Sequence, residues 1–236
     1  MQQDEKFIRY SRQIFIEEIG VAGQRRISQA KVLIIGAGGL GSPVIQYLAA
    51  AGVGTLGIVD FDRVALHNLN RQVIHAENSI DAPKVASAAD FVRQRNSQVT
   101  VVPMFLNINE SNARDIIGDY DLVLDGSDNF TSRYIINDAC VTMGKPLVYG
   151  SIFAFEGQLA VFNYKGSKHL RDLYPEAPDP DDAPGCDRFG VLGPLPGMVG
   201  SMMAMQALKI ITDLPADTNQ LTIIDTLHWH FSKVSF

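Results

Sequence analysis

Residues 31–42 of this 236-residue chain read KVLIIGAGGLGS, an apolar run followed directly by a cluster of glycines. The run at 31–35 is continuous and rich in β-branched side chains, which is typical of a strand buried on both faces of a parallel sheet. The glycines then follow the spacing G-x-G-x-x-G, which permits a tight turn, close approach of the backbone to a phosphate, and close packing of the next helix. This glycine loop predicts a nucleotide site with candidate residues Gly36, Gly38, Gly39 and Gly41.

The rest of the first 150 residues alternates short apolar runs with helical patterns, after a mixed helical stretch at 4–28. Further strands are predicted at 55–60, 99–103, 121–125 and 146–150, and further helices at 82–95, 109–117 and 130–144. Strands that alternate with helices form a doubly wound sheet with right-handed crossovers. We therefore predict an α/β fold built on a Rossmann-like, mostly parallel sheet.

The later part of the chain carries the pattern of antiparallel strands. Residues 156–164 alternate between polar and apolar side chains, and residues 221–225 and 228–236 have the pattern of a hairpin. We expect these strands to extend the parallel sheet.

The whole chain, residues 1–236, is predicted to form one domain. It divides into a nucleotide-binding part at about 1–150 and a second part at about 151–236. The second part includes a long loop at 165–189, rich in proline and aspartate. An uncharged segment follows, and its glycines and prolines delay the predicted helix until about Gly197. The remaining apolar length is too short to cross a bilayer, so we predict a buried core helix and no membrane partner.

Composition narrows the class of protein further. The net charge of −6 argues against nucleic acid as the main partner, because phosphate backbones require a basic excess. The two cysteines, Cys140 and Cys186, cannot build a disulfide framework, and the polar N-terminal residues lack the apolar run of a signal peptide. Both features favour a cytoplasmic protein.

Polar residues follow the predicted strand ends. Asp60 closes the second strand, where a carboxylate can bind ribose hydroxyls, and Asp128 follows the fourth, where it can bind Mg²⁺. The glycine loop alone favours a nicotinamide dehydrogenase, since that is its commoner use. Cations that follow the second strand instead suit a triphosphate, whose charge must be neutralised. The polar candidates in this region are Asp60, Asp62, Asn68, Arg71, Gln72 and Lys84.

Seven sequence motifs, called stations below, occur in an order that resembles the ThiF/MoeB/HesA family, the ubiquitin-activating-type adenylating enzymes of thiamine and molybdopterin biosynthesis. The resemblance covers nearly the whole chain. Its stations are RYSRQI (9–14), GAGGLGS (36–42), DFD with NLNRQ (60–62 and 68–72), PKV (83–85), DGSDNFTSR (125–133), EGQ (156–158) and GVLGPLPG (190–197).

The resemblance implies adenylation of the C-terminal glycine carboxylate of a small ubiquitin-like sulfur-carrier protein by ATP with Mg²⁺. It implies that Asp60 binds the ribose and that Asp128 is the metal ligand. Asn68, Arg71, Gln72 and Lys84 resemble the residues that bind the phosphates and promote adenylation. Arg12 resembles an arginine that reaches the nucleotide site of the partner subunit, which implies a homodimer. The carrier's Gly-Gly tail would enter an open channel, and the part of the chain at about 151–236 would bind the carrier and form the dimer.

Two departures from the family pattern concern metal and sulfur chemistry. Relatives commonly hold a structural zinc with two C-x-x-C pairs, and this sequence has neither pair, so we predict that structural zinc is absent. His228 and His230 are two residues apart on one predicted strand and do not make a zinc site by themselves. Cys186 stands where the family often has a cysteine, which in the thiamine-pathway members can form an acyl-disulfide with the carrier. Neighbouring aspartates would raise its pKa, so its role as a catalytic thiol stays open.

Two other functions remain as alternatives. An NAD(P)-dependent oxidoreductase would use the same glycine loop and Asp60, although no separate substrate domain or paired catalytic acid and base is evident. A catalytically idle module that only binds the carrier would have no need for Arg12, Arg71, Lys84 and Asp128.

Overall fold

The structure, a computed structural model, describes residues 2–177 and 190–236, with side chains described from residue 7 onward. The helices are α1 (Gln2–Ile14), α2 (Gly20–Gln29), α3 (Gly41–Ala51), α4 (Lys84–Arg95), α5 (Ala113–Gly118), α6 (Phe130–Met143), α7 (Leu170–Leu173) and α8 (Pro194–Ile211). The strands are β1 (Lys31–Ile35), β2 (Thr55–Val59), β3 (Thr100–Met104), β4 (Leu122–Asp125), β5 (Leu147–Phe153), β6 (Glu156–Phe162), β7 (Gln220–Asp225) and β8 (His230–Ser235).

All of these strands belong to one sheet, in the order β3-β2-β1-β4-β5-β6-β7-β8. The first five are parallel, and Ile34 in β1 pairs with Ile58 of β2 and Leu124 of β4. From β5 to β8 the neighbours are antiparallel. The predicted α/β sheet with an antiparallel extension is confirmed.

Strand order reverses between β1 and β4, because the chain leaves β1 for β2 on one side and later places β4 on the other. In such sheets a crevice opens outside the carboxyl ends of the strands at this switch point. Gly36 ends β1 there with φ of +93°, and a Cβ at this position would lie 2.7 Å from the carbonyl oxygen of Gly126. Only glycine fits that turn without moving the loop after β4.

Two hydrophobic clusters cover the two faces of the sheet. On one face Val32 and Ile34 pack with residues of α3, α4 and α8, and on the other Leu33 and Ile35 pack with residues of α5, α6 and α7. Both clusters contain residues from before and after residue 150. The division into two functional parts at that point stays a prediction.

Helix α8 lies unusually close to its neighbours because glycines face it. A Cβ at Gly150 of β5 would lie 2.3 Å from the Met203 sulfur, and one at Gly157 of β6 would lie 2.4 Å from Val199. On the opposite side, Gly200 of α8 approaches Pro43 of α3. The helix therefore joins α3 to the antiparallel strands through direct packing.

Several sequence-based boundaries are wrong, including that of the helix predicted at 109–117, which begins only at Ala113. The helical stretch predicted at 4–28 is two helices with a break before Gly20. Helix α8 begins at Pro194 instead of Gly197, because proline is tolerated in the first turn, where its missing N–H is not needed. The predicted loop at 165–189 contains α7, whose first amide, at Leu170, donates to Asn137 of α6. Among the described residues, no helix is long and apolar enough to cross a membrane.

Candidate functional site

A cavity of about 400 Å³ opens at the carboxyl ends of β1, β2 and β4. Its floor is the glycine loop, and its walls come from the segments that follow β2, β3 and β4. Val191, which follows the segment that the structure leaves undescribed, closes one side. Every site residue predicted from the first two strand ends lies at this cavity or directly against its wall.

The glycine loop offers backbone amides to the cavity. Within the described part of the chain, the amides of Gly38 and Gly39 donate to no other group. The N-terminus of α3 follows at Gly41, so its dipole adds partial positive charge at the same place. Free amides and a helix N-terminus together form an anion site.

Asp60 braces this loop. Its Oδ2 accepts the amide of Ala37 at 2.8 Å, and its Oδ1 accepts the amide of Asp62 at 2.8 Å. Burial raises the pKa of Asp60, while these amides and the Lys84 ammonium act in the opposite direction. Each carboxylate oxygen keeps a second lone pair, so Asp60 can still accept a hydroxyl from a bound sugar.

Lys84 lies at the start of α4 and is a buried cation at the cavity. Its side chain is only 8% exposed, and its Nζ lies 2.8 Å from Oδ2 of Asp62, which is 50% exposed. The carboxylate holds the ammonium in place without covering it, because Asp62 itself faces solvent. Lys84 can therefore turn toward a phosphate that enters the cavity.

The segment after the second strand supplies a further cation and amide groups. Arg71 lines the cavity, and its Nη1 donates to the carbonyl of His67 at 3.0 Å and to Asn70 Oδ1 at 3.1 Å. Gln72 is buried, and its Oε1 has no partner among the described residues. Asn68 does not line the cavity. Its Oδ1 accepts the amide of Ala65 at 3.0 Å and closes the turn that carries Arg71.

The turn after β4 brings a carboxylate to the opposite wall. Asp128 is exposed at the cavity, next to Asn129, which caps α6 by accepting the amide of Ser132 at 2.8 Å. Arg133 supports this turn from behind. It donates to the Ser127 carbonyl at 2.9 Å and stacks on Tyr149, with its Cζ 4.8 Å from the ring centroid. Arg133 thereby supports the turn that places Asp128 at the cavity.

The predicted residue Arg12 is not brought to this cavity. Arg12 is exposed on α1, between Tyr10, whose hydroxyl accepts Asn96 Nδ2, and Gln13, which donates to the Ala51 carbonyl. Those contacts lie at the C-terminal ends of α3 and α4, on the side of the sheet where the strands begin, whereas the cavity lies where the strands end. Cys186 lies outside the described residues.

The remaining titratable candidates, Cys140 and His228, are held by contacts within the fold and not at the cavity. Cys140 is buried, and burial raises its thiol pKa, so it is an inert core residue. His228 lies in the turn before β8, not on the strand, and its Nδ1 is 2.8 Å from Asp225 Oδ2. The described residues contain no group of three or more His, Cys, Asp or Glu side chains able to hold a metal. The absence of structural zinc stays a prediction.

His75 and Arg133 belong to the site but are not in the sequence-based set of site residues. His75 is buried, with its Nε2 2.9 Å from the Ala37 carbonyl in the glycine loop. Arg133 belongs to the DGSDNFTSR station, and its position close to Asp128 along the chain could have identified it as a site residue from the sequence. No comparable signal identifies His75, because only the fold brings it beneath the loop.

The strand order, the glycine loop at the switch point and the cations beside it define a doubly wound, Rossmann-type domain with an anion-binding crevice. The model of the ThiF family matches residues 10–236. The chain belongs to the ThiF family.

Named relatives are similar along almost the whole of this chain. It is 48% identical over 232 residues to the zebrafish (Danio rerio) "Adenylyltransferase and sulfurtransferase MOCS3", covering 98% of this chain and 50% of that protein. It is 44% identical over 229 residues to the "SAMP-activating enzyme E1" of Haloferax volcanii, covering 97% of this chain and 84% of the relative. The chain spans about half the length of the MOCS3 proteins that it matches.

Solved structures share the fold. The Escherichia coli protein in "MccB + ATP" superposes with a TM-score of 0.83 at 21% identity, covering 96% of this chain and 71% of that one. PaaA gives a TM-score of 0.83 at 23% identity, covering 98% of this chain and 73% of that one.

Proposed function

We propose that this protein uses ATP to adenylate the C-terminal glycine carboxylate of a small ubiquitin-like sulfur-carrier protein of thiamine or molybdopterin biosynthesis. One observation carries the proposal: the glycine loop with its free amides, Lys84, Arg71 and the Asp128 carboxylate all line a single cavity. That set suits a magnesium triphosphate better than a nicotinamide cofactor, which carries less phosphate charge. The relatives named as adenylyltransferases and as an E1 support the same activity.

ATP is proposed to lie across the switch point. The loop amides at Gly38 and Gly39 would receive phosphate oxygens, and Asp60 would accept a ribose hydroxyl. Gly36 and Gly41 keep the loop and helix close enough for this contact. Gln72 would support the loop from below, since its Nε2 lies 3.6 Å from where a Cβ of Gly38 would be. Asn68 would act indirectly, by closing the turn that presents Arg71.

The donor set around Asp128 fits Mg²⁺. The ion prefers oxygen ligands, keeps several waters, and in nucleotide sites binds one or two carboxylates together with substrate phosphates. Asp128 provides such a carboxylate at the cavity wall, and Asn129 Nδ2 is the one described group bonded to it, at 3.3 Å. The metal would supply charge neutralisation to the phosphates.

The proposed reaction needs no general base. The carrier's terminal carboxylate is ionised at neutral pH, so its oxygen can attack the α-phosphorus directly. The new bond is C(O)O–Pα, the bond to the β-phosphate oxygen breaks, and pyrophosphate leaves with the electron pair. The protein must hold two anions together and stabilise the charge that develops on the leaving group. Arg71 and Lys84 are positioned for that task.

The carrier is proposed to approach from the antiparallel end of the sheet. The turn between β5 and β6 and the turn between β7 and β8 lie at the same edge as the cavity, and Ile152 lines the cavity itself. Both turns expose large apolar side chains, which mark a docking surface: Phe153, Phe155, Leu227 and Trp229. Cys186 stays a candidate for a later covalent step with the carrier.

A homodimer is part of the proposal. Arg12 cannot serve its own cavity from the opposite edge of the sheet, so it would act in the site of a partner copy. The same helical region exposes Ile8, Phe15 and Ile16, an apolar surface that association would cover. A cytoplasmic location remains a proposal.

ATP–pyrophosphate exchange tests the function. Exchange should require Mg²⁺ and a carrier that ends in Gly-Gly, and Asp128→Asn should reduce it by ~10²-fold or more. Glu110→Gln is the matched control, because Glu110 is an exposed carboxylate outside the cavity. Tight NAD binding without exchange would favour the oxidoreductase. Tight ATP and carrier binding without exchange would favour the idle module.

A further inference from the structure

The peptide of Ala37 is held by side chains from both sides. Its N–H donates to Asp60 Oδ2 at 2.8 Å, and its carbonyl oxygen lies 2.9 Å from Nε2 of His75. Ala37 stands between Gly36 and Gly38, in the part of the loop that turns toward the cavity. Fixing both of its polar groups sets the orientation of the amides that follow, at Gly38 and Gly39.

The contacts of His75 define which of its nitrogens carries the proton. A backbone carbonyl can only accept, so Nε2 must carry hydrogen. Nδ1 lies 2.8 Å from the Ser87 hydroxyl, which can donate to it. The neutral Nε2–H tautomer therefore satisfies both contacts at once.

The surroundings of the ring favour that neutral state. Burial lowers the pKa of His75, and the Lys84 ammonium lowers it further, while the Asp60 carboxylate and the Ala37 carbonyl oppose this. Lys84 on α4 and Asp60 after β2 are the charged groups that face the ring. A neutral His75 ring adds no second positive charge next to the Lys84 ammonium.

His75 also connects two parts of the site. Ser87 lies on α4 one helical turn after Lys84, so the path Ser87–His75–Ala37 ties the helix that carries the ammonium to the loop that carries the amides. If His75 is removed, both of these contacts between the helix and the loop are lost.

We propose that His75 is a positioning residue for the nucleotide: as the neutral Nε2–H tautomer it fixes the Ala37 carbonyl and keeps Lys84 aligned with the glycine loop. The inference rests on the proposed ATP-dependent function. It assigns His75 no contact with ATP and no proton transfer.

Nitrogen-15 NMR of the five histidines tests the tautomer in the wild-type protein. The His75 signals should be those of a neutral ring protonated at Nε2 and should stay so as the pH falls through 6.5, the ordinary histidine value. An ordinary titration of His75, or a proton on Nδ1, would overturn the assignment.

Steady-state kinetics tests the positioning role. His75→Ala should raise the KM for ATP roughly 5- to 10-fold, as expected for the loss of one ordering hydrogen bond, and leave the KM for the carrier within about twofold. His75→Gln should recover most of the loss, because the glutamine Nε2–H can reach the same carbonyl. Ser87→Ala, which removes only the outer contact, should have a smaller effect on the KM for ATP.

Equal KM values for ATP in His75→Ala and wild type, or equal losses in the alanine and glutamine variants, would refute the positioning role. A wild-type protein without ATP turnover or ATP binding would instead refute the proposed function. In that case the NMR result still decides whether the neutral ring holds the loop.

Discussion

Replacing Gly41 by alanine tests the close contact on which the glycine loop depends. A Cβ at this position would lie 1.9 Å from the carbonyl oxygen of Gly36 and 2.8 Å from its carbonyl carbon. Both atoms belong to the backbone, so no side-chain rotation can relieve the overlap. Either α3 must move away from β1 or the turn at Gly36 must open.

The overlap sets the size of the effect. Adding a methyl group to a well-packed interior costs about 1–3 kcal/mol and occasionally more. Because the clash is with backbone at the centre of the sheet, we expect the upper end, about 3 kcal/mol. In a domain of this size each kcal/mol lowers the melting temperature by about 2–4 °C, so Gly41→Ala should melt roughly 6–12 °C below wild type.

Thermal unfolding followed by circular dichroism measures this difference, and Gly38→Ala is its control. At Gly38 the nearest described atom to an added Cβ is Gln72 Nε2 at 3.6 Å, an ordinary contact, so stability should change by less than about 0.5 kcal/mol. That variant should instead weaken ATP binding, because its methyl group occupies the approach of the phosphate. A Gly41→Ala protein with the same melting temperature as wild type would refute the reasoning.

Three further predictions concern charge and burial. Lys84→Met should lower the exchange rate by ~10²-fold or more but the free energy of unfolding by less than about 1 kcal/mol, since its partner Asp62 is half exposed; urea denaturation that showed a loss of several kcal/mol would contradict this. Cys140 should resist alkylation in the folded protein and react in guanidinium chloride, as peptide mass spectrometry can determine; rapid labelling of the native protein would disprove its burial. Bonds from Arg171 lower the pKa of Asp138, so the pair stabilises the fold above the unfolded aspartate pKa and loses this effect as the pH falls through the lower folded value. Asp138→Asn should therefore lower stability by less than about 1 kcal/mol near neutral pH and by nothing in strong acid, and an equal loss at both would exclude the linkage.

The strands were predictable because each leaves a local mark on the sequence. KVLII at 31–35 is a continuous apolar run typical of a strand buried on both faces, and Asp125 at the end of an apolar run indicates where β4 stops. The glycine spacing locates the phosphate site for a similar reason, since it depends on backbone geometry within a few residues. Such features do not require knowledge of tertiary contacts.

The features that sequence reasoning missed depend on distant parts of the chain. His75 acquires its role only when the fold places it under Ala37, and nothing in its neighbourhood indicates that contact. The start of α8 is similar: glycines and prolines near residue 194 disfavour a helix locally, yet the helix begins there, with Pro196 close to Gly39 and Gly193 close to Asn70. Asn68 belongs to a recognisable station, but only the structure shows that it closes a turn.

Helix α8 has a consequence for how the chain folds as it is synthesised. Its residues Val199 and Met203 complete the cluster that contains Val32, Ile34 and α3, all of which leave the ribosome far earlier. Until residues 194–211 emerge, Val32, Ile34 and α3 lack part of the apolar surface that covers them in the folded protein. Uncovered apolar faces promote aggregation of incomplete chains. Residues 194–211 must therefore emerge before this part of the core can be completed.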